Sequence, residues 1–282
     1  MTERGAREQH GMRLRKEAVI AAKRAGVVVR PVDDLGEFVE IRRLFDFTWG
    51  GDPTNPTVTA ELLRALSKSG APVIGAYDAG GLVGGSVGFF GPPDERALHS
   101  HVTGVLDSAR GRSVGFALKL FQRAWAFDRG LAAIMWTFDP LVRRNAHFNI
   151  VKLGALPVEY LQNFYGEMHD DINGTDDSDR LLMRWAVDEC ASPVCTAEWE
   201  SVEVALSVGS SGGPDVHDVS GTLVSVAVPH DIELLRRRDP AVAKAWRGAV
   251  RREMAQRLSA SGRIVGFDAE GRYVIDMRGE PA

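Results

Sequence analysis

The chain has 282 residues, a formal net charge of −4, 44% hydrophobic residues and 26% charged residues. This composition is typical of a globular protein with an ample core, and the length predicts one large domain or two small ones. The net negative charge argues against a general affinity for nucleic acid. No run of about 18 apolar residues occurs, and the charged segment 1–26 lacks the apolar core of a signal peptide, so we expect a cytoplasmic protein without a membrane span.

The apolar spacing predicts alternating helices and strands along the first two thirds of the chain. A glycine-rich segment at Asp78–Gly81 lies between two apolar strands and indicates a hairpin. The order of elements predicts a mixed α/β fold whose sheet has one parallel crossover. The predicted bounds are helix 12–25, strand Val27–Val32, helices Asp34–Thr48 and Thr59–Ser69, strands Pro72–Tyr77, Leu82–Phe90 and His99–Leu106, a helix ending near Arg129, strand Ala132–Phe138, helix Leu141–Leu153, and strands Val158–Tyr165 and Leu181–Val187.

Changes in composition divide the chain into four parts. These are an N-terminal helix at 1–26, an α/β domain at 27–187, a linker at 188–214 and a C-terminal α/β extension at 215–282. The extension contains a strand, a basic helical stretch that Asp239-Pro240 interrupts, and a hairpin. Such a short segment is marginal for folding alone. We therefore expect the extension to pack either on the α/β domain or on a partner chain. In the second case the protein would be a homodimer.

The two cysteines, Cys190 and Cys195, are too few for a disulfide framework or for a four-ligand zinc site. We interpret both as free thiols in a reducing cytoplasm. The pair His99 and His101 has no third ligand at a recognisable spacing, so we expect a protein without a metal.

A basic, glycine-bearing turn joins a predicted strand to a predicted amphipathic helix, and it reads Arg-Gly-Arg-Ser-Val-Gly-Phe-Ala-Leu from Arg110 to Leu118. The first N–H groups of a helix have no partner inside the helix, and the helix dipole is positive at that end. Arg110 and Arg112 add positive charge beside these groups. The sequence therefore predicts an anion site that is suited to phosphate.

The turn and the order of elements resemble the GCN5-related N-acetyltransferase superfamily. The signature of that superfamily is Arg or Gln, two residues, Gly, one residue, and Gly or Ala. The register that starts at Arg110 follows the common glycine-rich layout, but places Ser113 where the first glycine belongs. The register that starts at Arg112 fits the loose consensus completely. We favour the first register, because Val114 and Leu118 then occupy the usual apolar helix positions.

A second segment carries the same resemblance. Asp139-Pro-Leu leads into a helix with Asn145 and then to Lys-Leu-Gly, similar to the helix that follows the fifth strand in the superfamily. The strings at Trp136–Leu141 and Arg144–Asn149 resemble those of a less-studied branch of predicted acetyltransferases. The resemblance to the superfamily covers 27–187, and the rest of the chain is similar only to that branch.

The resemblance implies a mixed, mostly antiparallel sheet flanked by helices, with acetyl-CoA or another acyl-CoA bound where the fourth and fifth strands part. No metal is implied. Pantetheine would pair with exposed backbone of the fourth strand, and Gly104 would permit a bulge or a close approach there. Asn145 would assist near the cofactor. The residues implied to contact pantetheine or pyrophosphate are Gly104, Val105, Leu106, Arg110, Gly111, Arg112, Ser113, Val114, Gly115 and Phe116.

Acyl transfer to an amine needs a base, and often an acid for the departing thiolate. Many members of the superfamily supply the acid from a tyrosine, at the position where this chain has Ile150. For the base we consider His99 and His101, which share a face of the fourth strand by its period of two, and Asp139 at the end of the fifth strand. His101 is nearest to the expected thioester. Histidines with only a packing role, or a His-x-His metal site, are the alternatives.

The expected function is acyl-CoA-dependent transfer, by direct attack, to the amine of a small molecule, with neither nucleic acid nor membrane as a partner. A non-catalytic acyl-CoA-binding or assembly protein is the alternative that Ile150 favours. A different reaction of a CoA thioester, such as decarboxylation, is a third interpretation. All three require the Arg110 turn to bind CoA.

Overall fold

A computed structural model describes residues 3–49, 56–166, 176–188, 199 and 201–279. The chain divides into two compact units. The first comprises Met1–Trp136 and Ala186–Glu189, and the second comprises Thr137–Trp185 and Cys190–Ala282. The division into four parts inferred from composition stays a prediction. Among the described residues, no helix combines the length and hydrophobicity that a membrane crossing needs.

The first unit is built on the strands β1 to β5, which are neighbours in chain order. The pairs β1–β2, β2–β3 and β3–β4 are antiparallel, whereas β4 and β5 are parallel and are connected through α4. The bounds are α1 Glu3–Ala25, β1 Val28–Pro31, α2 Leu35–Trp49, α3 Ala60–Lys68, β2 Val73–Asp78, β3 Gly81–Phe90, β4 Ala97–Val105, α4 Val114–Asp128 and β5 Ala133–Phe138.

Helices cover both faces of this sheet, because successive strand residues point to opposite faces. Val73 of β2 packs in a core with α2 and α3, while the next residue, Ile74, packs in a core with α1 and α4. The predicted apolar face of α2 is buried in the first of these cores, which confirms the helical periodicity. The residues of that face are Phe38, Ile41, Leu44 and Phe45.

The second unit contains an antiparallel pair, β6–β7, and a five-stranded sheet in the order β11-β12-β10-β8-β9. A segment with π-helical hydrogen bonds, His147–Lys152, continues from the short helix α5. The bounds are α5 Arg143–Ala146, β6 Leu156–Leu161, β7 Arg180–Ala186, β8 Glu203–Val208, β9 Pro214–Val216, β10 Leu223–Ala227, α6 Ile232–Arg238, α7 Pro240–Ser259, β11 Arg263–Phe267 and β12 Arg272–Asp276.

Strand β8 lies within the stretch that composition predicts as a linker, 188–214. Ala205 and Leu206 of this strand are fully buried, and β8 pairs with β10 in parallel. The Ser- and Gly-rich composition of this stretch does not indicate β8, because the burial of this strand depends on partners that are distant in sequence. The mixed α/β class, with a mostly antiparallel sheet flanked by helices, is confirmed.

Candidate functional site

The turn between β4 and α4 has a backbone shape that favours glycine at two positions. Gly111 has φ +80°, and Ser113, immediately before α4, has φ +65° and ψ +25°. A side chain makes this left-handed conformation costly. Ser113 therefore adopts the backbone conformation expected of the glycine that it replaces in the motif, and the loop shape does not depend on that glycine.

The same turn presents a group of backbone donors without partners. In the described part of the chain, no hydrogen bond is donated by the N–H groups of Gly111 and of the four residues from Ser113 to Phe116. They lie at the start of a helix of 15 residues, where the dipole adds positive potential. Five free donors at a positive helix end are chemically suited to an anion with several oxygens.

The two arginines of the turn differ in their surroundings. The guanidinium of Arg110 contacts Asp107 at 2.8 Å, and both side chains are about two-thirds exposed, with values of 67% and 64%. A phosphate can compete for such an exposed pair at little cost. Arg112 donates instead to Asp78 at 2.7 Å and to the carbonyls of Ala25 and Gly26, each at 3.2 Å. Its implied contact with phosphate would require these bonds to break.

The parallel pairing of β4 with β5 ends early. It joins Ala97–His99 to Ala133–Met135, and from Ser100 to Val105 strand β4 pairs only with β3 among the described residues. Gly104 and Val105, which the resemblance implies for pantetheine, lie on this open part of β4. The N–H of Leu106, just beyond it, donates to the carbonyl of Val83 at 3.0 Å. The open edge thus leads directly to the turn with the free amides.

Of the two alternatives at Gly104, a bulge or a close approach, the structure has the close approach, and the bulge of β4 lies at His101. The register with β3 shifts between Val102 and Ser100, which leaves His101 as the extra residue of β4. Gly104 has a packing role, because a Cβ there would lie 2.9 Å from the Trp49 ring and 3.1 Å from Leu44. The sequence could not reveal this, because a bulge depends on cross-strand register.

The two histidines of β4 lie together, as their spacing predicts. The rings of His99 and His101 are 6.1 Å apart, and they lie 4.8 Å and 5.6 Å from the ring of Phe89. Burial, together with the charges of His101 and Lys119, lowers the pKa of His99 to about 4. Burial also lowers the pKa of His101. Both imidazoles are therefore neutral near pH 7 and able to accept a proton.

Asp139, in the second unit, belongs to a buried ionic cluster. Its carboxylate accepts two hydrogen bonds from Arg247, at 2.9 Å and 2.8 Å, one from Arg236 at 2.6 Å and one from the N–H of Leu141 at 2.9 Å. Arg236 and Arg247 also contact Asp176, and we call these four side chains the Asp139 cluster. Burial raises the pKa of Asp139, but the two guanidinium groups outweigh it and hold the pKa well below its usual range.

This pairing argues against the candidate role of Asp139 as the base, since its oxygens are engaged and its affinity for a proton is low. The two cations come from α6 and α7, about 100 positions later in the chain, which spacing around Asp139 could not show. By contrast, the side-chain amide of Asn145 is half-buried and has no hydrogen-bond partner among the described residues. It is free to assist a ligand, as the resemblance implies.

The two tyrosines that follow Ile150 most closely in the sequence, Tyr160 and Tyr165, are both engaged in hydrogen bonds. The side chain of Ile150 is fully buried. The hydroxyl of Tyr160 donates to Asp179 at 2.6 Å, and burial raises the pKa of Tyr160 well above its ordinary value. Tyr165 shares a hydrogen bond with Thr137 at 3.0 Å. Each of these hydroxyl groups therefore already has a partner within the second unit.

Sequence reasoning missed a buried lysine in the first unit. Lys119 of α4 is 5% exposed, its amine donates to the Ser100 hydroxyl at 2.8 Å, and it lies 4.0 Å from the centre of the Trp136 ring. The available signal was its position between Leu118 and Leu120 on a helix with few exposed residues. Lysine in such a helix is usually exposed, so the pattern alone favours a surface position.

Cys190 and Cys195 lie outside the described residues. Within the described ranges, no three His, Cys, Asp or Glu side chains are grouped so that they could hold a metal ion.

No family model matches the sequence, and no curated protein matches it significantly. Solved N-acetyltransferase structures resemble part of the chain. An N-acetyltransferase from Staphylococcus aureus is 12% identical, with a TM-score of 0.46 over 57% of this chain and 98% of its own. The ribosomal-protein-S18-alanine N-acetyltransferase from Escherichia coli is 10% identical, with a TM-score of 0.46 over 58% and 96%. An aminoglycoside 6'-N-acetyltransferase complexed with coenzyme A is 18% identical, with a TM-score of 0.44 over 58% and 99%.

Proposed function

We propose that this protein binds acyl-CoA and transfers its acyl group to an amine, as an N-acyltransferase of the GCN5-related superfamily that its motifs resemble. One observation carries the proposal: an open strand edge, from Ser100 to Val105, ends at a turn with five unpartnered amides. An elongated ligand with amide groups at one end and a pyrophosphate at the other complements these two features in the same order.

The turn would take the pyrophosphate of CoA. Phosphate oxygens accept hydrogen bonds from free amides at a helix start, and the dipole favours their charge. Arg110 would add positive charge, because its ion pair with Asp107 is exposed and can be exchanged for a contact with phosphate. Arg112 would contribute by holding the turn in place through Asp78 and the end of α1.

The open edge of β4 would take pantetheine. A ligand that pairs with a free strand edge gains main-chain hydrogen bonds, in the manner of an added strand. Six residues of edge span about 20 Å at about 3.3 Å per residue. The acyl end would then lie toward His99, where β4 and β5 are still paired, and the bulge at His101 redirects the strand at that end.

The chemistry requires few protein groups. The amine nitrogen attacks the thioester carbon, a C–N bond forms, and the C–S bond breaks with loss of the CoA thiolate. The amine must give up a proton, and His101 is our candidate base because its imidazole is neutral near pH 7. A thiol has a pKa of about 8.5, so its thiolate is a tolerable leaving group. The reaction therefore does not need an acid at the position that Ile150 occupies.

Calorimetric titration with CoA and with acetyl-CoA tests the binding step. We expect saturable binding of both ligands, and a folded protein that binds neither would contradict the proposal. Release of thiol from acetyl-CoA in the presence of a panel of small amines tests the transfer step. The proposal includes a small-molecule acceptor and a cytoplasmic location. It also includes a homodimer, which sedimentation of the full chain tests.

A non-catalytic acyl-CoA-binding protein is the second candidate. The observation that favours it is Ile150, whose buried, apolar side chain leaves the usual acid position without a donor. This candidate predicts the same binding of CoA and acetyl-CoA, but no thiol release with any amine in the panel.

A further inference from the structure

Lys119 holds a buried amine at the point where β4 and β5 part. The last paired residues of the two strands are His99 and Met135. The next residue on β4 is Ser100, whose hydroxyl accepts from the Lys119 amine at 2.8 Å. The next residue on β5 is Trp136, whose ring centre lies 4.0 Å from the same amine. A single side chain therefore contacts both strands at the first position of their divergence.

A line of side-chain hydrogen bonds continues from this amine beneath β3 and β4. The Ser100 hydroxyl donates to Gln122 at 3.0 Å, and the amide of Gln122 donates to Ser86 at 2.9 Å. Ser86 in turn lies 2.8 Å from the Thr103 hydroxyl. Because Lys119 supplies the first donor, Ser100 accepts from the amine and donates to Gln122, and Gln122 accepts from Ser100 and donates to Ser86. The line fixes the side chains below the open part of β4.

This arrangement is expensive for a purely structural element. No carboxylate pairs with Lys119 in the described part of the chain, and burial lowers the pKa of its amine to about 7. An apolar side chain of similar length would fill the same space without the cost of burying a polar group. Each group in this line of hydrogen bonds has a partner, and the contacts of the amine hold Ser100 and Trp136 in position.

We propose that Lys119 is a positioning residue for the thioester end of acyl-CoA, because its amine fixes the place where β4 and β5 separate. The inference rests on the proposed function and adds to it. The point of divergence at Ser100 and Trp136 limits how far the ligand can enter between β4 and β5. Lys119 therefore affects the position of the acyl end and not that of the distant pyrophosphate. Its loss would therefore weaken binding of acetyl-CoA more than binding of CoA.

The test compares affinities for acetyl-CoA and CoA, measured by calorimetry, in the wild type and in Lys119→Met, which keeps the length of the side chain but removes its donors. The preference is the ratio of the affinity for acetyl-CoA to the affinity for CoA. We expect this ratio to fall by about tenfold in Lys119→Met, a change of about 1.4 kcal/mol, while CoA affinity changes by less than about threefold. Leu120→Met, on the next residue of α4, is the packing control and should leave the preference unchanged.

Two further variants keep the test decisive if Lys119→Met does not fold. Ser100→Ala removes the β4 anchor of the amine and should lower the same preference, while Ser100→Thr keeps the hydroxyl and should restore it. In a double variant, Ser100→Ala should add little to Lys119→Met, because both remove one contact. An unchanged preference in folded Lys119→Met or Ser100→Ala, or an equal loss for both ligands, would overturn the inference. A wild type that binds neither ligand would instead refute the proposed function.

Discussion

The turn before α4 and the Asp139 cluster are both rich in charge, but they differ in how their polar groups are satisfied. In the turn, five backbone donors lack partners and Arg110 is two-thirds exposed. In the cluster, Arg247 is 2% exposed and its guanidinium donates to both Asp139 and Asp176. Backbone donors without partners favour a ligand site, whereas buried and paired charges favour a structural role. The comparison therefore separates binding from stability within one chain.

The largest expected effect is on the stability of the Asp139 cluster. Arg247→Gln should lower the free energy of unfolding by about 3–5 kcal/mol, since it leaves buried carboxylates without their main partner. Arg252→Gln, on the same helix but 61% exposed, should change it by less than about 0.5 kcal/mol. Urea unfolding of both variants measures the difference. Equal, small effects would remove the distinction between the two regions.

A negative charge at the start of α4 should strongly weaken CoA binding without harming the helix. A Cβ at Gly115 has room, since the nearest atom is 3.8 Å away, and a carboxylate in the first turn favours the helix dipole. Gly115→Asp should weaken CoA binding by about 100-fold or more, because like charges at an interface cost several kcal/mol. Gly115→Asn, of the same shape, should lose less than about tenfold in calorimetry. Retained affinity in the aspartate variant would place the pyrophosphate elsewhere.

Lys119 should make stability depend on pH in the first unit. Its pKa is about 7 in the folded protein and about 10.5 when exposed. Between these values the unfolded chain binds a proton that the folded protein does not, so stability rises with pH. From about pH 7 to about pH 9 the wild type should gain about 2 kcal/mol relative to Lys119→Met. Parallel stability profiles for the two proteins would show that the amine titrates normally.

The smallest effect concerns Ser113. Ser113→Gly should stabilise the protein by about 0.5 kcal/mol, because it relieves the left-handed conformation but increases the freedom of the unfolded chain. CoA affinity should stay unchanged, since the amide is retained. Ser108→Gly, in the preceding turn where φ is not positive, is the matched control and should destabilise. Thermal unfolding distinguishes the two, and a loss of stability in Ser113→Gly would contradict the proposed strain.

Local patterns predicted most elements of the first unit, because the periodicity of α2 and the apolar strands reflects burial on one face or both. The position of the turn before α4 was also predictable, since a glycine-bearing segment between a strand and a helix is a local feature, whereas its binding of an anion stays a prediction. The bulge at His101, the pairing of Asp139 with Arg247 and the burial of Lys119 were not. Each depends on residues brought together by register or by contacts across many positions, which spacing in one chain does not encode.

The most direct test of the central claim follows the backbone amide resonances of the turn during titration of the full chain with CoA. The account predicts that Gly111 and the residues from Ser113 to Phe116 show the largest downfield shifts, because their free N–H groups acquire phosphate acceptors. The amides of the Asp139 cluster, including Arg247, should remain unchanged. Saturating CoA that leaves the turn resonances unmoved would contradict the account.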